Sequence, residues 1–265
     1  MKSKNPRAFD LIGNIAVVKF PEEFKQKEKK AFAEGLLKKQ NSIKTVLEKY
    51  GKIKGRLRKI TTRYIAGIKT KEVLYKENGC VFRFNIDTTY FSPRLSNERK
   101  EIAGKIKEDE EVLVMFAGVG PYSIVIGKNS SAKMVLSNEI NREANKYAKL
   151  NIELNNLEGK VELLQGDIKR ISEKLLRQKK KFNVIVMPRP QLRETFLREA
   201  FMFSKKGTTI YYYDFCRDDG KEKVIEKIKT EAKASKKRIK ILKIKNAGEI
   251  APFKFRVRVD FRVLN

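Results

Sequence analysis

The segment from Val112 to Ser123, which reads VLVMFAGVGPYS, indicates the fold class. It starts as a short apolar run and then breaks into a turn with glycines at Gly118 and Gly120. A single acid, Glu139, ends the next apolar run, MVLSNE, about twenty residues later. In doubly wound sheets such glycines let the backbone approach a nucleotide, and the later carboxylate accepts hydrogen bonds from ribose hydroxyls. The pattern therefore predicts a pocket for an adenosine-type cofactor.

The residues after Gly120 narrow the choice of cofactor. A dinucleotide pocket favours a third glycine three residues further on, but this chain has Ser123 there and Pro121 between them. S-adenosylmethionine has no pyrophosphate and tolerates a looser turn, so the spacing favours it over nicotinamide or flavin cofactors. An ordinary strand-to-helix turn would also explain the glycines alone, but Glu139 and the later Gly166-Asp167 pair count against that interpretation. The predicted cofactor-binding residues are Phe116, Ala117, Gly118, Val119, Gly120, Glu139, Ile140, Asp167 and Ile168.

The charge balance indicates a nucleic-acid partner. Lys and Arg number 61 against 32 Asp and Glu, which gives a formal net charge of +29, and the excess is densest within residues 1–80. A folded protein with this excess suits a polyanion, whereas the Lys- and Glu-rich composition of thermophiles would raise both signs together. With 41% hydrophobic residues, the chain can also bury a core.

Composition excludes several kinds of chemistry. The chain has no histidine, which excludes Ser-His-Asp and Cys-His catalysis and histidine-ligated zinc, and we predict no metal ligands. Proton transfer must therefore use carboxylates, Lys or Tyr. The two cysteines, Cys80 and Cys216, are interpreted as reduced thiols of a cytoplasmic protein. No apolar run is long enough to span a membrane and no signal-peptide pattern opens the chain, so no membrane association is expected.

The first part of the chain predicts a small α+β domain. Residues 11–19 are interpreted as a strand and residues 21–50 as one or two amphipathic helices, and four short strand-like stretches follow. We place the end of this domain near residue 82, so that it covers residues 1–82, and its charge makes it the candidate RNA-facing part.

The remainder, residues 83–265, predicts a different architecture. From Glu98 onward, strands and helices alternate regularly, which is typical of a parallel sheet with helices on both faces. The final strand-like runs, 238–244 and 255–264, are joined by a turn that contains Gly248 and Pro252. They predict an antiparallel pair at one edge of the sheet.

Two further segments suit recognition of an RNA base. Residues 87–99, DTTYFSPRLSNER, combine aromatic rings, arginines and acids; rings stack on splayed-out bases while guanidinium groups hold phosphates. Residues 187–190, MPRP, follow a strand at the place where ligands bind in open α/β sheets. Plainer explanations exist, because Glu98 and Arg99 also suit the start of a helix and MPRP suits an ordinary loop. Residues 211–215, YYYDF, are interpreted as core aromatics.

Taken together, these motifs resemble the archaeal and eukaryotic tRNA (guanine-37 N1)-methyltransferase family, which uses S-adenosylmethionine beside the anticodon. The similarity extends from Phe9 to the C-terminus and includes, in order, GRLR, YFSPRLSNER, MFAGVGPYS, NEIN, QGD, MPRP, YYYDF and NAGEIAPFKFRVRVDFRV. Several independent motifs in the right order make the resemblance specific. It implies a Rossmann-like class I methyltransferase domain preceded by a small α+β tRNA-contacting domain.

The resemblance also implies roles for residues that spacing alone leaves open. Glu98 resembles the general base, and Arg58 resembles the arginine that contacts guanine O6, although charge alone would leave it a solvated residue. Neighbours that position the target nucleotide complete the predicted substrate-binding set: Tyr90, Arg94, Arg99, Met187, Pro188, Arg189 and Pro190. The implied partner is the anticodon stem-loop of a tRNA with G37, bound by a monomer. Because several tRNA phosphates would lie near the site, the question whether the reaction needs Mg2+ stays open.

The chain departs from the family pattern in three respects. Longer members carry an extra N-terminal docking domain, whereas this sequence opens almost directly on the next one. Val114 stands where the first cofactor strand usually ends in Asp, and Met187 replaces the Asn of the usual Asn-x-Pro loop. These replacements resemble an archaeal branch in which some members also methylate a tricyclic wyosine precursor, so dual activity is a hypothesis. Aminocarboxypropyl transfer to a wyosine precursor and a non-catalytic RNA-binding role are the alternatives.

Overall fold

The structure divides the chain into two compact units. The computed structural model describes residues 9–54, 59–189, 191–217 and 220–265. The units are residues 1–93 and 94–265, so the division lies later in the chain than the one predicted after residue 82. Each unit has its own sheet and its own apolar core.

The first unit is a four-stranded sheet with one helix and a separate hairpin. Its elements are β1 (Phe9–Ile12), β2 (Ile15–Val18), α1 (Gln26–Lys39), β3 (Thr45–Lys54), β4 (Lys59–Gly67), β5 (Glu72–Glu77) and β6 (Cys80–Asn85). The sheet has the order β1-β2-β3-β4, in which only β2 and β3 are parallel, and β5 pairs with β6. Ala33 and Leu36 of α1 pack with Val46 and Ile65 of the sheet to form the core.

The predicted helical region over residues 21–50 is helical only in its middle. α1 ends at Lys39, and the chain enters β3 at Thr45. β3 pairs with β2 on one side and with β4 on the other, and its Val46 and Leu47 are fully buried. The prediction of helix up to residue 50 is therefore wrong, because β-branched side chains and pairing on both edges outweigh a helical spacing of apolar residues.

An aromatic cluster explains why the first unit extends beyond β6. The ring of Phe91 stacks on Phe84 with centroids 4.7 Å apart, and it also contacts Phe82 and Tyr75 of the hairpin. Asp87 adds polar contacts, because its Oδ1 accepts a 2.7 Å hydrogen bond from the Thr62 hydroxyl on β4. The segment that carries Tyr90 is therefore packed against the first unit.

The second unit is a seven-stranded sheet with helices on both faces, which confirms the predicted α/β class. Across the sheet its strands are β12 (Ile239–Ala251), β13 (Lys254–Val263), β11 (Ser204–Arg217), β10 (Phe182–Met187), β7 (Glu111–Met115), β8 (Met134–Glu139) and β9 (Val161–Gln165). Its helices are α2 (Ser96–Ala103), α3 (Pro121–Asn129), α4 (Arg142–Leu154), α5 (Ile168–Arg177), α6 (Leu197–Phe203) and α7 (Lys221–Ala234), and a 3-10 turn, Pro93–Leu95, precedes α2. Strands β7 to β11 are parallel, whereas β13 and β12 are antiparallel to their neighbours.

Strand β7 is apolar throughout because both faces of the sheet are covered. Leu113 and Met115 belong to a core shared with α5, α6 and α7. Val112 and Val114 are also fully buried and, since side chains alternate along a strand, they face the other side. The carboxyl end of β7 therefore leads the glycine turn to the edge where open α/β sheets bind ligands.

The predicted antiparallel edge pair is confirmed by β12 and β13. β12 is longer than predicted and extends to Ala251, so Gly248 lies inside the strand instead of in the turn. Gly248 has a φ of +120°, and the register between the two strands shifts in this region. β12 is the outer strand, so its side chains lie closer to solvent than those of β13.

Candidate active site

The turn after β7 has three residues with left-handed backbone, and two of them are glycines. Phe116, Gly118 and Gly120 have φ values of +62°, +59° and +86°, respectively. A Cβ atom at Gly120 would lie 3.1 Å from Cδ1 of Ile124, so a side chain there would combine strain with crowding. Pro121 then starts α3, as its fixed φ favours at the first helical position. The turn thus brings bare backbone to the sheet edge.

Glu139 closes this turn from the end of β8. Its Oε2 accepts a 2.8 Å hydrogen bond from the Gly118 N–H, and its Oε1 accepts a 2.7 Å hydrogen bond from the Asn141 N–H. Glu139 is half-buried, which leaves it reachable. This is the geometry expected of an acid that binds a ribose.

The end of β9 is tied to the same edge. The Asn138 side-chain amide donates to the carbonyls of Leu164 and Gly166, and the Gly166 N–H donates to the Glu139 carbonyl at 2.8 Å. Asp167 follows at the start of α5, where its Oδ1 accepts from the Lys169 N–H. The structure therefore brings the predicted residues of β7, β8 and β9 together at one edge.

The remaining predicted cofactor residues have different environments. Phe116 is half-buried, and its ring packs edge-on against Phe196 at 5.0 Å. Ile140 is half-buried, whereas Ala117, Val119 and Ile168 are buried in the protein. Apolar side chains at this edge would form walls around an adenine ring, and the buried members support the turn from below.

Glu98 is a buried carboxylate in the first turn of α2. Only 5% of the residue is exposed. Oε2 accepts hydrogen bonds from the Tyr213 hydroxyl at 3.0 Å and from Arg258 Nη1 at 2.6 Å, and Lys245 Nζ lies 2.5 Å from Oε1. Glu98 is therefore a buried carboxylate that a tyrosine hydroxyl and two cationic side chains contact.

Glu98 belongs to a network of buried and partly exposed ion pairs, here named the Glu98 cluster. Its members are Glu98, Glu101, Lys105, Lys245, Arg258 and Asp260. Arg258 connects all three acids, with Nη2 2.6 Å from Glu101 Oε1 and Nε 2.7 Å from Asp260 Oδ1. The hydrogen bond from Arg258 lowers the pKa of Glu101 well below its usual range, against the opposing effect of burial. Burial lowers the pKa of Arg258, but its bonds to Glu101 and Asp260 outweigh this and raise it overall.

Two tyrosines connect Glu98 with the glycine turn. The Tyr213 ring packs edge-on against Tyr122 with centroids 5.9 Å apart, and Tyr122 is the second residue of α3, directly after the turn. The guanidinium of Arg99, which is 1% exposed, lies 5.7 Å from the Tyr122 ring centre. Burial raises the pKa of Tyr122 to about 12, and burial also raises the pKa of Tyr213. Both hydroxyls therefore stay protonated near neutral pH.

The other predicted substrate-binding residues differ in how deeply they are buried. Met187 is fully buried in the core, and Pro188 is half-buried. Arg189 is 2% exposed, and its guanidinium donates to Asp214 at 3.1 Å and to the Tyr212 hydroxyl at 3.2 Å. Arg94 is exposed, and Tyr90 is half-buried in the first unit. Arg58 and Pro190 lie outside the described residues.

Sequence reasoning missed Arg258, Lys245 and Tyr213. The signal for Arg258 is present in strand β13, FRVRVDFRV, where Arg256, Arg258 and Asp260 alternate with apolar residues. In a sheet covered on both faces, such charged side chains must be paired. Tyr213 was hidden among three consecutive tyrosines, and nothing local distinguishes Lys245 from the other lysines of β12.

The described part of the chain shows neither a metal-ligand group nor a membrane-spanning helix. Among those residues, no group of three or more His, Cys, Asp or Glu is arranged to hold a metal ion. No helix within the described ranges has both the length and the apolar character needed to cross a membrane. Cys80 and Cys216 are free thiols.

Comparisons with known proteins show the family of this chain. Residues 73–242 match the TRM5/TYW2 methyltransferase domain, and residues 1–70 match the TYW2 N-terminal domain. A relative from Pyrococcus abyssi, tRNA (guanine(37)-N(1))-methyltransferase Trm5b, is 34% identical over 97% of this chain and 75% of its own length. A second relative, tRNA (guanine(37)-N(1))/4-demethylwyosine(37)-methyltransferase Taw22 from Nanoarchaeum equitans, is 31% identical over 97% of this chain and 100% of its own length.

A solved structure supports the same assignment. The complex of aTrm5 with tRNALeu contains a chain that is 30% identical to this one, with a TM-score of 0.82 over 98% of this chain and 72% of that one. The domain match, the relatives and the fold agree with the resemblance seen in the motifs. The chain therefore belongs to the TRM5/TYW2 methyltransferase family.

Proposed function

We propose that this protein transfers a methyl group from S-adenosylmethionine to N1 of G37 in tRNA, the nucleotide next to the anticodon. The observation that carries the proposal is the buried, ion-paired carboxylate of Glu98, which two packed tyrosines connect to the glycine turn. This arrangement supports a role for Glu98 as the proton acceptor beside the predicted nucleoside pocket. The names of the relatives from Pyrococcus abyssi and Nanoarchaeum equitans support guanine-37 as the target.

The residues at the sheet edge fit S-adenosylmethionine. Glu139 is half-buried beside the turn, and a carboxylate at the end of the second cofactor strand is the group that accepts hydrogen bonds from ribose hydroxyls. The bare backbone at Gly118 and Gly120 and the apolar side chain of Ile140 suit an adenosine moiety without a pyrophosphate. When bound, this cofactor supplies an electrophilic methyl group on a sulfonium.

Methyl transfer to guanine N1 requires a base, and the Glu98 cluster contains a buried carboxylate. Guanine N1 carries a proton at neutral pH and is a poor nucleophile, so transfer needs a base for that proton and a cation for the charge that develops on O6. Glu98 accepts the proton as the bond from N1 to the methyl carbon forms and the carbon–sulfur bond breaks. Arg58 is proposed for O6 on the strength of the GRLR motif.

The first unit is proposed to contact the RNA. Tyr50 is 51% exposed, and the guanidinium of Arg63 lies 3.6 Å from its ring centre, a pairing of aromatic and cation that suits a nucleic-acid surface. The net charge of +29 favours the same partner. We propose that a monomer binds the anticodon stem-loop, in the cytoplasm that free thiols suit.

A second activity is favoured by one specific observation. The dual-activity relative from Nanoarchaeum equitans aligns with this chain over its entire length. Met187, at the carboxyl end of β10, also replaces the Asn of the usual Asn-x-Pro loop. We therefore propose that a tricyclic wyosine precursor at position 37 is methylated as well. A tRNA that carries this precursor tests the proposal, and methylation of G37 without methylation of the precursor would reject it.

The main proposal is tested with labelled S-adenosylmethionine and two unmodified tRNA transcripts that differ only at G37 and A37. Incorporation with G37 alone is expected. The thioether product identifies the reaction, because S-adenosylhomocysteine accompanies methyl transfer, whereas methylthioadenosine would indicate aminocarboxypropyl transfer. Absence of S-adenosylmethionine binding by calorimetry would instead support a non-catalytic RNA-binding role.

A further inference from the structure

The two oxygens of the Glu98 carboxylate have different partners. Oε2 accepts two hydrogen bonds, from Tyr213 and from Arg258, and both donors are buried. Oε1 is 2.5 Å from Lys245 Nζ, and the Lys245 side chain is 33% exposed, against 0% for Arg258. One oxygen is thus fixed by the core, and the other is paired with a side chain that reaches solvent.

This asymmetry determines which oxygen can take a proton. A carboxylate oxygen has two acceptor positions, and both positions of Oε2 are filled by donors that are themselves buried. Within the described ranges, the partner of Oε1 is a flexible ammonium group on the outer strand β12. Oε1 is therefore the oxygen at which a proton from a substrate would compete with Lys245.

Lys245 can still pair with a second carboxylate, that of Glu101, when it leaves Oε1. Its Nζ also pairs closely with Glu101 Oε2, and these bonds to Glu101 and Glu98 raise the pKa of Lys245. Glu101 is 27% exposed at its side chain and is anchored by Arg258 at 2.6 Å. The ammonium can therefore shift toward Glu101 without losing its charge partner.

We propose that Lys245 is a positioning residue for methyl transfer, which pairs with Oε1 of Glu98 in the free enzyme and releases this oxygen to the N1–H group of the incoming guanine. The inference rests on the proposed function. In the transfer step the N1 proton moves to Oε1, the N1–carbon bond forms, and the electron pair of the breaking carbon–sulfur bond stays on sulfur. Arg258 continues to hold Oε2 throughout.

Each element packed against Glu98 contributes charged or titratable groups. They are Arg99 and Glu101 on α2, Tyr122 on α3, Tyr213 on β11, Lys245 on β12, and Arg258 and Asp260 on β13. Lys245 is the cation among them that touches Glu98 and is also partly exposed. Its removal therefore changes the charge next to Oε1 while the buried bonds to Oε2 stay in place.

The test compares Lys245→Met with Lys240→Met, which makes the same change at an exposed lysine of the same strand. Single-turnover methyl transfer to a G37 transcript is measured between about pH 5 and pH 9. Lys245→Met removes the cation beside Oε1, so the acid limb of its rate profile is expected about one pH unit higher than in the wild type. Lys240→Met is expected to follow the wild-type profile.

A third variant separates charge from packing. Lys245→Arg keeps the positive charge, so its acid limb is expected at the wild-type position, and thermal unfolding of all variants checks that the fold is retained. An acid limb of Lys245→Met that coincides with that of the wild type would overturn the inference, as would a displaced limb in Lys245→Arg. Neither result would affect the proposed function, which fails only if the wild-type protein does not methylate the G37 transcript.

Discussion

Arg258 Nη1 lies 2.6 Å from Glu98 Oε2, and the two side chains are 0% and 6% exposed. This bond connects α2, which precedes the sheet, with β13, which is next to its outer edge. The same guanidinium also holds Glu101 and Asp260. One buried arginine thus has two tasks: it stabilises the packing of the helix on the sheet, and it keeps the proposed base in place.

Substitution Arg258→Met is expected to lower the free energy of unfolding by about 3–5 kcal/mol, because it leaves buried carboxylates without their cation. The matched control is Arg262→Met, which makes the same change at an exposed position of the same strand. Urea denaturation measures both. Equal losses in the two variants would mean that the buried ion pairs contribute nothing.

The stability of the protein should also depend on Glu101 at acid pH. Its pKa is lowered in the folded state, chiefly by the hydrogen bond from Arg258, so its contribution is present above the unfolded-state value of about 4.5 and is lost as the pH falls below it. The free energy of unfolding, measured from neutral to acid pH, should decrease less steeply in Arg258→Met than in Arg262→Met. Parallel curves would contradict this coupling.

Substitution Glu98→Gln is expected to reduce the single-turnover rate of methyl transfer by roughly two to four orders of magnitude, the scale of losing a general base. Affinity for S-adenosylmethionine should hardly change, because Glu139 and the glycine turn are untouched. Glu108→Gln, at an exposed position beyond α2, serves as the control. An unchanged rate in Glu98→Gln would refute the assignment of the base.

Substitution Glu139→Ala is expected to weaken S-adenosylmethionine binding by roughly tenfold to a hundredfold, the scale of losing hydrogen bonds to a charged group. Both the ribose acceptor and the bonds that fix Gly118 and Asn141 would be lost. Glu143→Ala makes the same change at a half-buried residue of α4 that pairs with Lys146. Calorimetry should separate the two variants clearly, and equal affinities would remove Glu139 from the cofactor site.

Substitution Gly120→Ala should separate backbone strain from ligand binding. Gly120 and Gly159 have φ values of +86° and +80°, so alanine at either position is expected to cost about 1–2 kcal/mol of stability. Only Gly120 lies in the turn, and its Cβ would also crowd Ile124. Loss of S-adenosylmethionine affinity is therefore expected in Gly120→Ala and not in Gly159→Ala. Equal affinities would show that the turn does not approach the ligand.

Much of the second unit could be predicted from local sequence because its signals are local. The apolar run before Gly118, the position of Glu139 and the Gly166-Asp167 pair each mark the end of a strand, and parallel strand ends must meet at one edge. The early strand β3 was missed because its stability comes from pairing with β2 and β4, which a window of sequence does not contain.

The charges around Glu98 could not be predicted for a similar reason. Arg258 and Glu98 are 160 residues apart in the chain, and only the fold brings them together. Lys245 looks like any lysine of a basic chain until the pairing of β12 with β13 puts it beside Glu98. The alternation of charged and apolar residues in β13 indicates buried charge, but it does not identify the partners.

The most direct measurement of the central claim is nucleoside analysis of a G37 transcript after incubation with the protein and S-adenosylmethionine. We expect N1-methylguanosine at position 37, with one equivalent of S-adenosylhomocysteine, in wild type and in Glu108→Gln, and a severe loss of both products in Glu98→Gln. A methyl group at another atom or position, or full activity in Glu98→Gln, would contradict the account.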